Sequence, residues 1–429
     1  VRKPRFGIDA IAFYAFLLLI FSLAFWRPFL LVNDHVLPPS DLIYVLTAVL
    51  TLIALLSRRF SFRWSRFNWL LIVYFLAMAA SSIGGENAAG NVTKLVGQVY
   101  LLSIPVLAII VLDDAKKFRI AVYVWLAATL ICSIIGDVSV LVYFFDRSNW
   151  LLSYTLSKFG SLPPGNYPRI QSTFLNMNLL CNYVSVGLGL LVIAAKLGWV
   201  SKKAAVWMFT LIGICAVFTI SPGLGGICLF TSVWFWRTMR DHRPILARLS
   251  LSAGIAAAAL FLIVSSIAPN HYPTAPFSVT VPIIERRIEP SSRALTWMGA
   301  FKTFTEEPLF GKGVGADATA ARYLDASGYE QYLTDAHNTF LNVAALEGLF
   351  GLTAIILITI YFVRRLFPID LGSNNSTVRA ALALTFVNAF VYQGLTGSYE
   401  DARHLWILMG MILAAERIQF SGSPLKTPG

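Results

Sequence analysis

The chain has 429 residues, 57% of them hydrophobic and 13% charged, with a mean hydropathy of +0.69 and a formal net charge of +12. A water-soluble domain is roughly 45–50% apolar and about 25% charged, so an ordinary soluble fold is excluded. The excess positive charge lies in short segments between apolar runs, which accounts for it without nucleic acid as a partner.

The apolar residues form twelve runs. In chain order they are Ile8–Phe25, Asp41–Leu56, Phe67–Ile83, Leu95–Leu112, Phe118–Phe145 and Asn178–Ala195. Ala204–Ile220, Gly223–Trp236, Leu249–Ala268, Thr339–Val363, Ala380–Leu395 and Leu405–Ala415 follow. Most approach the roughly 20 residues that cross a bilayer core, where only helix satisfies the backbone. Gly223–Trp236 and Leu405–Ala415 are the shortest. The expectation is an all-α, polytopic membrane protein of about 12 transmembrane helices, forming a single transmembrane domain over residues 1–429.

With the N-terminus inside, 22 of the 34 Lys and Arg fall on cytoplasmic segments, although the longest loops lie on the other side. This positive-inside asymmetry puts both termini in the cytoplasm. The first run has no cleavage site and reads as a membrane helix. Cys132, Cys181, Cys215 and Cys228 lie inside runs without metal-ligand spacing and read as small apolar fillers. The cytoplasmic loops carry no nucleotide motif, so no nucleotide partner is expected.

Two outward segments interrupt the short loops. The smaller, residues 146–177, contains Pro163-Pro164-Gly165 and Tyr167-Pro168, which disfavour continuous helix. The larger, residues 269–337, is the longest hydrophilic stretch. In it Ser291 or Ser292 is placed to cap a helix over Arg293–Thr305 that Glu306-Glu307-Pro308 ends. Leu295, Met298 and Phe301 share one face, extended by Ala294, Trp297 and Phe304. Such a helix either lies along the membrane–water interface or packs on the bundle. Gly311-Lys312-Gly313-Val314-Gly315 faintly resembles a phosphate loop but lacks its Gly-Lys-Ser/Thr ending. It reads as a linker whose glycines permit unusual backbone angles.

Several outward cations run against the charge asymmetry: Arg147, Lys158, Arg169, Arg286, Arg287, Arg293, Lys302, Lys312 and Arg322. Guanidinium forks pair bidentately with phosphate oxygens, so these residues are candidates for a lipid-linked diphosphate; neighbouring acids or ordinary lipid headgroups are the other reading. His337 stands where the outer loop meets the run beginning at Thr339, placed for general-base work or for structural hydrogen bonding. No outward Asp-x-Asp or His-x-x-x-His spacing suggests a metal, and no cofactor is expected. Asp137 and Glu347 are intramembrane carboxylates, each open to a structural or a functional role.

Three stretches together resemble the superfamily of O-antigen ligases, O-antigen polymerases and protein O-oligosaccharyltransferases. They are Arg169-Ile-Gln-Ser-Thr-Phe-Leu-Asn-Met-Asn178; Arg293-Ala-Leu-Thr-Trp297 with Glu307-Pro-Leu-Phe-Gly-Lys-Gly-Val-Gly315; and Ala336-His337-Asn338-Thr-Phe-Leu341 with Glu347-Gly348-Leu-Phe-Gly351. The resemblance covers about Arg169 to Gly351. One departure is Thr219-Ile220-Ser221-Pro222-Gly223, where the family often has Ser-Arg-Gly, so that Arg169 or Arg286 would have to substitute.

The resemblance implies a bacterial inner-membrane enzyme that moves a glycan from undecaprenyl diphosphate to an acceptor hydroxyl at the periplasmic face. It implies His337 as base and Arg169, Arg286, Arg287 and Arg293 on the diphosphate, with Asn176, Asn178, Trp297 and Asn338 in support. One dominant outer loop favours the ligase, with lipid A–core as acceptor; the polymerase and the protein oligosaccharyltransferase are the alternatives. A lipid or solute transporter is the alternative of another class.

Overall fold

The computed structural model describes residues 7–27, 29–32, 35–159, 167–268, 279–281, 286–324, 330–367, 369 and 371–420. Helix begins where an apolar run follows a residue able to satisfy free amides. The first six helices are α1 (Ile8–Ser22), α2 (Pro39–Leu56), α3 (Arg66–Gly84), α4 (Ala88–Val111), α5 (Ala115–Phe145) and α6 (Trp150–Thr155). After the smaller loop come α7 (Met177–Lys196), α8 (Lys202–Phe218), α9 (Gly223–Met239) and α10 (Pro244–Ser266). The last four are α11 (Ser292–Glu306), α12 (Thr339–Val363), α13 (Asn374–Phe386) and α14 (Arg403–Ala415). Asn87, Asp114, Asn176, Ser201, Ser291, Asn338 and Ser373 each accept a hydrogen bond from a first-turn amide.

Each of the twelve apolar runs thus holds a helix. Among the described residues, α2, α3, α4, α5, α7, α10 and α12 are the seven long and apolar enough to cross a membrane. The remaining apolar helices, α1, α8, α9, α13 and α14, are shorter than that length. Large apolar side chains such as Leu52, Val96, Leu141, Phe144 and Leu260 point outward over more than half their surface. Water would penalise that arrangement and lipid rewards it, so the chain is an all-helical, membrane-embedded protein. Among the described residues the strands are short and lie between helices: 30–32 pairs with 35–37, 156–159 with 167–170 and 321–324 with 330–333, while 286–290 pairs with both 279–281 and 267–268.

α7 and α14 form the centre, and Leu405 to Ala415 are buried without interruption. Their contact is polar inside. His404 Nε2 meets Asn182 Oδ1 at 2.6 Å, and Asn182 Nδ2 donates to Ala389 O at 2.7 Å and Gln393 Oε1 at 3.2 Å. Gln393 Nε2 donates to Ser185 Oγ at 3.0 Å. After α13 the chain winds as a π-helix over Val387–Tyr392, and the first glycines of α9 press against it. A Cβ on Gly225 would lie 2.0 Å from the Tyr392 hydroxyl, so this close approach requires glycine. The Ser221-Pro222-Gly223 departure is therefore a packing surface as well as a turn.

α12 is broken inside its apolar run. Gly348 has φ 65° and ψ −159°, which frees backbone groups on both sides of it. The Pro308–Gly313 loop satisfies them. Lys312 N and Gly313 N donate to Ala345 O and Leu346 O at 3.0 Å each, and Leu349 N donates to Pro308 O at 2.8 Å. Gly311 and Gly313 take φ of +70° and +105° to reach in. The glycine-rich stretch is a backbone wedge that seals a helix break.

α11 runs over the expected residues with Ser291 as its cap, the hydroxyl accepting from Ala294 N. Of the two expected placements, packing on the bundle is the one observed. Thr296 and Ala300 are buried, and Thr296 Oγ1 donates to Ala336 O at 3.0 Å, fixing the helix to the start of α12. Met298 and Phe301, on the predicted apolar face, remain exposed.

Candidate functional site

The segments 146–177 and 269–337 lead into the starts of α7 and α12. Asn338 caps α12, its Oδ1 accepting from Phe340 N and Leu341 N while its Nδ2 donates to Leu395 O at 3.2 Å. The residue before it, His337, takes φ 48°. A non-glycine residue in that region is uncommon, and such strain is held only where surrounding contacts fix it. Here the fixing group is Asp335. Its Oδ1 accepts from His337 N at 2.6 Å, lies 3.0 Å from His337 Nδ1, and accepts from Ser398 Oγ at 2.7 Å.

These contacts assign the imidazole. With Nδ1–H donated to the carboxylate, Nε2 carries the lone pair and is the basic atom. Burial pushes the Asp335 carboxyl upward. The hydrogen bond and charge of His337 and the Ser398 hydroxyl outweigh burial and hold it below the usual carboxylate range. The dyad faces a cleft of about 210 Å³ lined by Asn176, Asn178, Thr396, Gly397 and Tyr399. Asn176 serves as the cap of α7, while Asn178 Oδ1 is buried with no partner among the described residues. The Tyr399 hydroxyl donates to Asn178 O at 3.2 Å.

Arg169 lies on the strand Tyr167–Ile170 before α7, and Arg293 lies in the first turn of α11. Arg169 Nε donates to Thr219 O at 2.9 Å and its Nη2 to Ile220 O at 3.0 Å. Ile220 has φ 48°, an outlier for a β-branched residue, at the turn between α8 and α9. The guanidinium therefore stands at the Thr219–Gly223 turn. Burial, and then the charge of Arg293, draw Arg169 down to about 10, so it stays charged at neutral pH. Arg293 is lowered by burial and offset by Tyr399. Its Nε is buried without a hydrogen-bond partner among the described residues, as is Trp297 Nε1.

Both guanidiniums are desolvated and the charge of Arg293 acts on Arg169, a situation that a bound anion would relieve. The other outward cations divide differently. Lys302 pairs with Glu306 at 3.8 Å, Lys312 with Glu86 at 3.1 Å and Arg322 with Glu330 at 3.5 Å, while Arg147 lies over the Tyr143 ring at 5.1 Å. For these the bland reading, pairing within the protein, is the observed one. Arg286 and Arg287 lie on the strand Arg286–Pro290, whose residues 286–288 pair with Val279–Val281. Their side chains, and that of Lys158, lie outside the described residues.

Among the candidate carboxylates, Glu347 is buried at the α12 break with Tyr74 donating to it at 3.3 Å. Asp137 has neither carboxyl oxygen partnered among the described residues. Glu400 and Asp401 take separate partners. Glu400 accepts from Asn342 at 2.5 Å, and Asp401 takes Lys94 and Gln98 at 2.6 Å each. Among the described residues, no group of three His, Cys, Asp or Glu could hold a metal ion.

Sequence reasoning identified His337, Arg169 and Arg293 but missed Asp335, Ser398 and Tyr399. Asp335 was visible in Asp-Ala-His; Ser398 and Tyr399 come from the loop before α14 and had no local signal. Comparison of the chain with family models and with curated proteins returned no match.

Proposed function

We propose that this chain is a lipid-linked oligosaccharide glycosyltransferase of the bacterial inner membrane, an O-antigen ligase with about twelve spans and a periplasmic active site. The observation that carries the reading is the Asp335–His337 dyad in its cleft, with two desolvated guanidiniums, Arg169 and Arg293, the second acting on Tyr399 in the cleft wall. The arginines supply charge for a diphosphate, and the imidazole supplies a base whose tautomer is set.

In the proposed reaction, His337 Nε2 takes the proton of an acceptor sugar hydroxyl as that oxygen attacks the donor's anomeric carbon. The bond from that carbon to the diphosphate oxygen breaks, and its electron pair leaves on undecaprenyl diphosphate. Arg169 and Arg293 stabilise the charge that develops there, with Arg286 and Arg287 as further candidates. Direct displacement inverts the anomeric configuration. Lipid A–core is the acceptor this reading favours.

A transporter is the second reading, favoured by the α12 break beside Glu347, since broken helices mark many transport sites. The backbone groups freed by that break are bonded to the Pro308–Gly313 loop, which leaves few of them for a cargo. The test between the two is His337→Ala. Turnover should fall to background while undecaprenyl-diphosphate glycan still binds; normal turnover in the folded variant would remove the assignment.

A further inference from the structure

A second, larger space adjoins the cleft of the Asp335–His337 dyad. It measures about 860 Å³ and lies between α4, the start of α14 and the Val314–Ala318 stretch. Trp26, Lys94, Gln98, Tyr100, Asp401 and Arg403 are in its wall, and Asp335 lines both spaces. The transfer argued above assigns no task to this cavity.

Its charges distinguish it from the cleft. Lys94 Nζ lies 2.6 Å from Asp401 Oδ2, and Arg403 forks onto Asp41 at 2.5 and 2.7 Å. Both cations are thus already neutralised by carboxylates, and Asp317 and Asp335 add further negative charge to the wall. A diphosphate would find no uncommitted cation here among the described residues.

The wall suits a neutral, hydroxyl-rich ligand instead. Lys94, Gln98 and Asp401 hold one another, while the side chains of Lys94 and Asp401 stay 50% and 43% exposed. Lys94 and Asp401 are thus fixed polar groups that still face open space, which is how pre-formed sites orient a ligand. Gln98 Oε1, in a side chain that is 5% exposed, has no partner among the described residues. Trp26 adds an aromatic surface, with the Arg403 guanidinium 4.9 Å from its ring centre.

We propose that this cavity is the acceptor-saccharide subsite. The acceptor oligosaccharide seats between α4 and α14, and its reacting hydroxyl passes Asp335 to reach His337. The diphosphate is held on the other side of the dyad by Arg169 and Arg293. This assignment rests on the transferase reading and adds the route by which the second substrate arrives.

Gly97 offers the test. It lines the cavity on α4, and a Cβ built there meets nothing within 4 Å. Gly97→Trp should therefore fill the space without displacing backbone, and it replaces a helix-interior glycine, which favours folding. Binding of lipid A–core and of undecaprenyl-diphosphate glycan is measured separately, on wild-type and Gly97→Trp protein in nanodiscs. The expected result is a loss of lipid A–core affinity of roughly ten-fold or more with donor affinity unchanged. A variant that loses donor affinity instead would place the donor's own glycan there, and one that binds both lipids normally would leave the cavity without a saccharide; either overturns the proposal. Gln98→Ala, a smaller change to the same wall, should weaken lipid A–core binding in the same direction, and no effect of it counts against the subsite. Wild-type protein that binds neither lipid would overturn the transferase reading and the subsite with it.

Discussion

At the residue scale, the proposed chemistry depends on one carboxylate and one imidazole. Asp335 fixes His337 through Nδ1 and through the backbone amide of the same residue, so ring and main chain are oriented together. Asp335→Asn keeps the shape but no longer requires Nδ1 to carry the proton. Turnover should fall roughly 10²–10⁴-fold with little change in KM, read by steady-state assay. A change in KM alone would make Asp335 a binding residue. Glu400 gives a separate prediction. Burial first, and then the charge of Asp401, raise its carboxyl to about 8. A carboxyl raised in the folded state stabilises the fold below its unfolded pKa of about 4.3, and that contribution is lost as pH rises toward 8. Thermal melting of purified protein should therefore weaken from pH 5 to pH 8, and Glu400→Gln should flatten this dependence.

At the element scale, the helices were legible and their interruptions were not. A run such as Phe118–Phe145 preceded by Asp114 states a helix and its cap in local terms, and α5 begins at Ala115. Glu347-Gly348 sits inside an equally apolar run, and nothing local distinguishes it from a continuous helix. What breaks α12 is the Pro308–Gly313 loop, which supplies the hydrogen bonds that the break requires. The π-helix over Val387–Tyr392 is likewise set by the glycines of α9 rather than by its own residues. Gly348→Ala tests this. It would put a Cβ about 2.3 Å from Leu309 O at a φ of 65°. Stability should fall by more than about 3 kcal/mol, as strain and clash act together. Variant melting temperature checks it, with Gly213→Ala, where a Cβ meets nothing within 4 Å, as the neutral control.

At the scale of the whole molecule, the site is assembled from four places in the chain. Arg169 comes from the hairpin before α7, Arg293 from α11, the dyad from the start of α12, and Ser398 and Tyr399 from the loop before α14. The first three were recognisable because each pairs an unusual outward charge or imidazole with a nearby helix start. The fourth was not, because a serine and a tyrosine in a short loop are ordinary residues until tertiary contact gives them partners. The same holds for the turn at Ile220, whose strained carbonyl becomes meaningful only once Arg169 reaches it.

The central claim is that this assembly transfers a lipid-linked glycan. It is tested most directly by incubating the purified protein with undecaprenyl-diphosphate O-antigen and lipid A–core, in excess EDTA and without nucleotide, and resolving the products on a gel. The expected result is a ladder on lipid A–core that is absent with His337→Ala, because in the proposed reaction protein groups provide both the base and the charge for the leaving diphosphate. A folded wild-type protein that lengthens the lipid-linked glycan instead would make it a polymerase, and one that leaves both substrates unchanged would contradict the account.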